Sequence, residues 1–280
     1  MWFRRLLLIA CALTMLASTP LWLSTRTYPL LPIAQWFPVA PAPFDRIIFG
    51  GALLSLVFAL RFYRSAVICF LAVSFYMAMS DQARWQPWFY MYWVMLLLSL
   101  AKESAALAAC RFAISTVYLW SGLQKCNSSY FEIVVPFLGR AVSEWLPAFL
   151  STMLRGALAA GPAVEIFIAV AVWFPSTRRI AITMAVLVHA VALLLLGPLG
   201  HGHNWIVWPW NIAMPGLLFV LFARGVLSRP VTELLRVKMG SRRCGFVHPA
   251  AGLEFLWVLG LVSFVLALHG PAHQSGHLHQ

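Results

Sequence analysis

Residues 105–123 read AALAACRFAISTVYLWSGL, nineteen residues with a single charge, Arg111. A run of about 20 mostly apolar residues is long enough for a helix to cross the hydrocarbon core of a bilayer. Within it the polar residues are ordered. Arg111, Ser115, Tyr118 and Gly122, with Lys125 just beyond, follow at steps of 4, 3, 4 and 3. At about 100° per residue all five share one narrow face of a helix. The segment therefore predicts a membrane helix with one polar stripe turned toward other helices.

The rest of the chain agrees in composition. Of 280 residues 62% are hydrophobic and 10% charged, and the mean hydropathy is +0.83; soluble domains carry about 25% charged residues. Twenty Lys and Arg against eight Asp and Glu give +12. In a chain this apolar, that excess points to anionic lipid and not to nucleic acid. The five cysteines include no C-x-x-C pair, which argues against a disulfide framework or a zinc site. P-loop, G-x-S-x-G and H-E-x-x-H motifs are all missing, so nucleotide hydrolysis, serine hydrolysis and zinc proteolysis have no support.

Nine apolar runs can be marked, at about 6–24, 46–60, 65–80, 87–101, 105–123, 157–174, 180–197, 205–222 and 251–269. The expected fold is all-α: one polytopic transmembrane domain over 1–280, a helical bundle of about nine spans. Arg4 and Arg5 precede the first run without a small-x-small cleavage site after it, so it reads as a retained anchor. With the N-terminus inside, inner connections hold thirteen Lys and Arg and outer ones six, which fixes the orientation by the positive-inside rule. The C-terminus then lies outside. Residues 224–250 become a basic inner-face loop on an anionic leaflet, and 270–280 a disordered tail. The run 130–150 contains Pro136, Gly139, Arg140, Glu144 and Pro147, and predicts a horizontal or re-entrant helix on the outer face.

Ionisable groups at bilayer depth mark function. Glu165 and His189 each lie about 12 Å below the outer ends of adjacent spans, and are expected to be partners. Lys125 ends the polar stripe at the outer interface, where it would either serve as a base or snorkel into the headgroups. Catalytic candidates are thus Lys125, Glu165 and His189. Candidates for ligand contact are Tyr118, Gly122, Trp210 and Asn211, the tryptophan belonging to an interfacial group with Trp205 and Trp208 around Pro209. His201, His203 and the four tail histidines are too irregularly spaced to predict a metal site.

Residues 118–127, YLWSGLQKCN, followed by Tyr130 and Phe131, resemble the aromatic-small-Gly-hydrophobic-x-Lys-x-Asp/Asn motif of vitamin K-dependent gamma-carboxylases. They are also similar to the motif of the bacterial HTTM and DoxX-like membrane proteins. GPAVE at 161–165, the Arg178 and Arg179 pair, and Leu187, Val188 and His189 look like that family's acidic, basic-turn and histidine landmarks; the resemblance covers about 45–222. It implies an outer-facing pocket, a bacterial inner membrane and a quinone or hydroquinone ligand, with Lys125 as the base. Two features depart from it. The family's second histidine is matched by Gln86, Pro87 and Trp88, and no counterpart of the large extramembrane domain is present, so protein carboxylation does not carry over. The readings left open are a quinone-linked oxidoreductase or carboxylase-like modifying enzyme, and a non-enzymatic membrane subunit or maturation factor with a redox partner protein. A transporter ranks below both, because no inverted repeat or pair of broken helices is visible.

Overall fold

A computed structural model describes residues 2–26, 28–143, 146–197, 200–202 and 207–222. Among these there are helices and no strands. The elements are α1 Trp2–Ala17, α2 Thr19–Trp22, α3 Phe44–Phe58, α4 Tyr63–Met79, a 3-10 turn Gln82–Arg84, α5 Pro87–Leu98, α6 Glu103–Gln124, a π-helical turn Tyr130–Val134 running into α7 Val135–Ser143, α8 Ala148–Ala159, α9 Gly161–Ala171, α10 Arg178–Leu196 and α11 Val207–Phe222. Residues 1–224 form one compact unit.

Proline sets several of the boundaries. Pro87 opens α5 and Pro162 the first turn of α9, positions where the missing N–H is no loss. Several buried hydroxyls are satisfied within their own helices. Thr14 donates to the Ala10 carbonyl at 2.7 Å, Ser55 to Gly51 at 2.8 Å and Ser74 to Phe70 at 2.6 Å, which lets polar residues sit in a dry interior.

Each of the eight apolar runs that fall on described residues holds a helix, but most are shorter than a span. Among the described residues only α6, of 22 residues, and α10, of 19, are single helices long and apolar enough to cross a membrane. Nine spans are therefore not what these residues show. At about 1.5 Å per residue the 15 residues of α3 reach only about 22 Å, against a core of about 30 Å. The run 157–174 is also not one straight helix: α8 and α9 meet at a bend of 50° and count as a third span only if taken together. The segment 130–150, expected as one outer-face helix, is likewise two pieces, since α7 and α8 pack as a pair in which Arg155 covers Gly139. Glu144, the ninth run, the basic loop 224–250 and the tail 270–280 lie outside the described residues.

Helix ends gather at two faces. At one, Arg4 donates to the Ser99 carbonyl at 2.8 Å, Arg111 to that of Leu221 at 2.6 Å, and Arg178 to that of Phe222 at 3.5 Å. The starts of α1, α6 and α10 thus meet the ends of α5 and α11. At the other face, Arg84 ahead of α5 meets the ends of α2 and α4. Consecutive long helices therefore alternate in direction. Against this second face sits an aromatic cluster in which Trp22 packs on Phe49, Trp88 and Phe89. Outside it, Ile47, Leu54, Phe75, Phe112, Val186, Leu187 and Phe219 are exposed. Helices that are apolar on both faces belong in an apolar solvent.

Candidate functional site

The polar stripe of α6 faces the interior as its spacing predicts. At the lower end, Arg111 donates to Leu221 and lies over the Phe222 ring. One turn on, Ser115 is 6% exposed, and its hydroxyl has no hydrogen-bond partner among the described residues. The Tyr118 hydroxyl lies 2.9 Å from His189 Nε2, and His189 Nδ1 lies 2.8 Å from Asn211 Oδ1. A carbonyl oxygen only accepts, so Nδ1 carries the proton and Nε2 accepts from Tyr118. The result is a buried hydrogen-bonded chain across α6, α10 and α11.

Lys125, the C-cap of α6, neither snorkels nor stands free. Its ammonium donates to Ser121 Oγ at 2.9 Å and to both oxygens of Glu165 at 2.5 and 2.6 Å. Three N–H groups meet three acceptors. The Lys125 side chain is 32% exposed and that of Glu165 10%, so the pair runs from the surface into the bundle. Two polar sets thus lie along α6: the ion pair of Lys125 with Glu165, and the hydrogen-bonded chain of Tyr118, His189 and Asn211.

Two expectations change here. The direct partner of Glu165 is Lys125, not His189. Matching depth measured at Cα ignored the length of a lysine, whose four-carbon stem covers about one helical turn. Gly122 makes its close approach to a helix: a Cβ there would lie 2.7 Å from both Ile166 Cγ1 and the Pro162 carbonyl oxygen. That absent side chain lets α6 and α9 touch, and the contact brings Glu165 under Lys125. Trp210, beside Asn211, keeps a buried Nε1 with no partner among the described residues. Trp205 and His203 lie outside them.

A second polar cluster, invisible to the spacing argument, lies between α2, α3 and the 3-10 turn. Asp81 is fully buried and Arg84 is 4% exposed. Arg84 donates to the carbonyls of Leu21, Trp22 and Met77 and to Ser80 Oγ, at 2.8 to 3.1 Å. Arg26 pairs with Asp81 at 2.6 Å. Burial pulls the Arg84 guanidinium below its usual range, and Asp81 beside it opposes that. Nearby, the Asp45 carboxylate accepts from the Ser24 amide and hydroxyl at 2.6 and 2.8 Å and from the Arg46 amide at 2.8 Å. The space between Asp45, Tyr76, Ser80 and Arg84 is about 10 Å³, enough for one water. The available signal was the i,i+3 opposite charges of Asp81 and Arg84, in a connection read only for topology.

Among the described residues no group of three His, Cys, Asp or Glu is placed to hold a metal ion. In comparisons with known proteins, no family model, no curated protein and no solved structure matches this chain.

Proposed function

We propose that this chain is a polytopic membrane protein whose outer-leaflet half takes a lipid-soluble ligand of the quinone or hydroquinone class and moves protons to or from it. In this reading the apolar runs make about nine spans in a bacterial inner membrane, with the N-terminus cytoplasmic and the C-terminus outside. The short helices cross by tilting neighbours and thinning the bilayer locally. The observation that carries the reading is the presence of two polar sets along α6, the part-exposed ion pair of Lys125 with Glu165 and the buried chain from Tyr118 through His189 to Asn211. Transfer of one proton from Lys125 to Glu165 leaves an amine lone pair beside a carboxylic acid. The amine then takes a hydroquinone hydroxyl proton, while Tyr118 and His189 hold or pass the next. The unpartnered Ser115 hydroxyl and Trp210 N–H are donors suited to ligand oxygens. Electrons would leave to a redox partner protein. The resemblance of residues 118–127 to the carboxylase and HTTM motif points the same way.

The test uses the full chain in phosphatidylcholine nanodiscs, with quenching of tryptophan fluorescence by a short-chain benzoquinone and its hydroquinone. Saturable binding, weakened by Lys125→Arg and Glu165→Gln in correctly folded protein, is expected. Absence of saturation in the wild type would remove the ligand reading. Topology is checked separately through Cys126, which is exposed next to Lys125: an impermeant maleimide added to intact cells should label it.

The second reading is a scaffold subunit or maturation factor. It is favoured by the seal at Gly122, because the same contact and ion pair would simply fasten α6 to α9. There, Lys125→Arg changes no binding.

A further inference from the structure

At the face where α1, α6 and α10 begin, cations occupy helix ends that are already positive. Arg4 and Arg5 lie in the first turn of α1, Arg64 in that of α4, and Arg178 and Arg179 open α10, with no acidic residue in any of these first turns. Lys102 is the N-cap of α6, and no side chain caps the free amides of α4 or α6. Cations at N-termini oppose the helix dipole. An anion from outside the chain would pair with the exposed cations Arg64 and Lys102 and with the uncapped amides.

The chain leaves room for one. Arg4, Arg64, Leu100, Ala101, Lys102 and Glu103 line a cavity of about 410 Å³, so three cations face one carboxylate. Arg4 is held in place by the Ser99 carbonyl and by stacking on Tyr63 at 4.6 Å. Arg64 and Lys102 are exposed. Trp2 and Phe62, 62% and 59% exposed, stand two residues from Arg4 and Arg64. Exposed aromatics at helix ends mark the headgroup level of a bilayer, so the cavity opens at the lipid interface.

We propose that this cavity is a binding site for the phosphodiester headgroup of an anionic phospholipid. The phosphate sits between Arg64 and Lys102 within reach of Arg4, with the amides at the start of α6 behind it. Leu100 and Ala101 meet the glycerol and first methylenes. The proposal rests on the membrane reading and not on the chemistry of Lys125.

The experiment places the full chain in phosphatidylcholine nanodiscs containing a minor fraction of phosphatidylglycerol, extracts it into mild detergent and counts retained lipid by native mass spectrometry. Wild type should retain one phosphatidylglycerol selectively. Arg64→Gln with Lys102→Gln should lower its retention by roughly thirtyfold, from about 1 kcal/mol per cation. Arg64→Lys with Lys102→Arg should restore it. Arg179→Gln, which removes an exposed cation at the same face but off the cavity, should leave retention unchanged. Equal loss in Arg179→Gln would reduce the effect to diffuse surface charge and overturn the site. Displacement by inorganic phosphate alone would make it a soluble-anion site and overturn the lipid assignment, as would retention of both lipids alike. If the double variant does not stay monodisperse, Lys102→Gln alone, with about a fivefold loss expected, decides the matter. Failure of the chain to enter nanodiscs at all would instead defeat the membrane reading.

Discussion

Arg84 and Lys125 each set a cation against a carboxylate beyond the apolar stretch of a helix, and they use their donors differently. Arg84 is 4% exposed and spreads its N–H groups over three main-chain carbonyls and Ser80, from α2, α4 and the turn after it. It closes helix ends that would otherwise leave carbonyls unsatisfied. Lys125 instead gives its three N–H groups to side chains, the Ser121 hydroxyl and the two oxygens of the Glu165 carboxylate. It is also open to the surface. The contrast separates a cation that fastens backbone from one that is held by side chains and stands partly open to the surface.

The sharpest way to break the comparison is to remove Arg84. Arg84→Met leaves Asp81 buried with Arg26 as its one cation, strips the Trp22 carbonyl and leaves that of Leu21 only the 3.5 Å bond from Arg26. A buried pair broken on one side costs about 3–5 kcal/mol. Thermal unfolding in nanodiscs should show a large drop, or no folded protein. An unchanged melting temperature would make the cluster incidental. Next in size is Gly122→Ala, whose methyl would stand 2.7 Å from Ile166 and from the Pro162 carbonyl. Main chain cannot yield as a side chain does, so about 1–3 kcal/mol of overpacking is expected. A neutral outcome by the same measurement would show that α6 and α9 are not clamped there.

The pattern of α6 was readable because 4-3-4-3 spacing is set by helix geometry, and every member of the stripe has an interior position: Arg111 on α11, Tyr118 on His189, Gly122 on α9 and Lys125 on Glu165. Glu165 was legible as an acid in an apolar run, but its partner was not. Partner choice depends on side-chain reach and on the bend between α8 and α9, and neither leaves a periodic trace. Asp81 and Arg84 were hidden for another reason. They sit in a connection, where charge normally means solvent, and their burial follows from tertiary packing of residues 21–45 over that turn. Span number was not legible for a local cause: apolar composition persists past the prolines and turns that end the helices, so a run marks a helix without fixing whether it crosses.

A smaller effect sharpens the Lys125 side. Lys125→Gln removes a pair that is about a third exposed, and its hydration offsets much of the attraction. A loss of at most about 1 kcal/mol is expected, far below that of Arg84→Met. If unfolding measurements gave equal losses, both cations would be structural, and the scaffold reading would gain.

The smallest effect tests whether the Asp45 carboxylate is held by donors as Arg84 is held by acceptors. Burial alone would raise the Asp45 carboxyl, yet the Ser24 amide and hydroxyl and the Arg46 amide outweigh it and hold the group below the usual carboxylate range. A carboxylate with a depressed folded value stabilises the fold above its unfolded value, and the contribution is lost as pH falls through the folded one. Ser24→Ala removes one of three donors and leaves both amides, so about 0.5 kcal/mol should be lost at neutral pH. The gap between wild type and variant should close in acid, where Asp45 is protonated in both. Melting temperatures of the two proteins measured from neutral to acidic pH give the comparison. A gap that widened on acidification would mean that Ser24 favours the protonated acid, and that the carboxylate is tolerated there and not held.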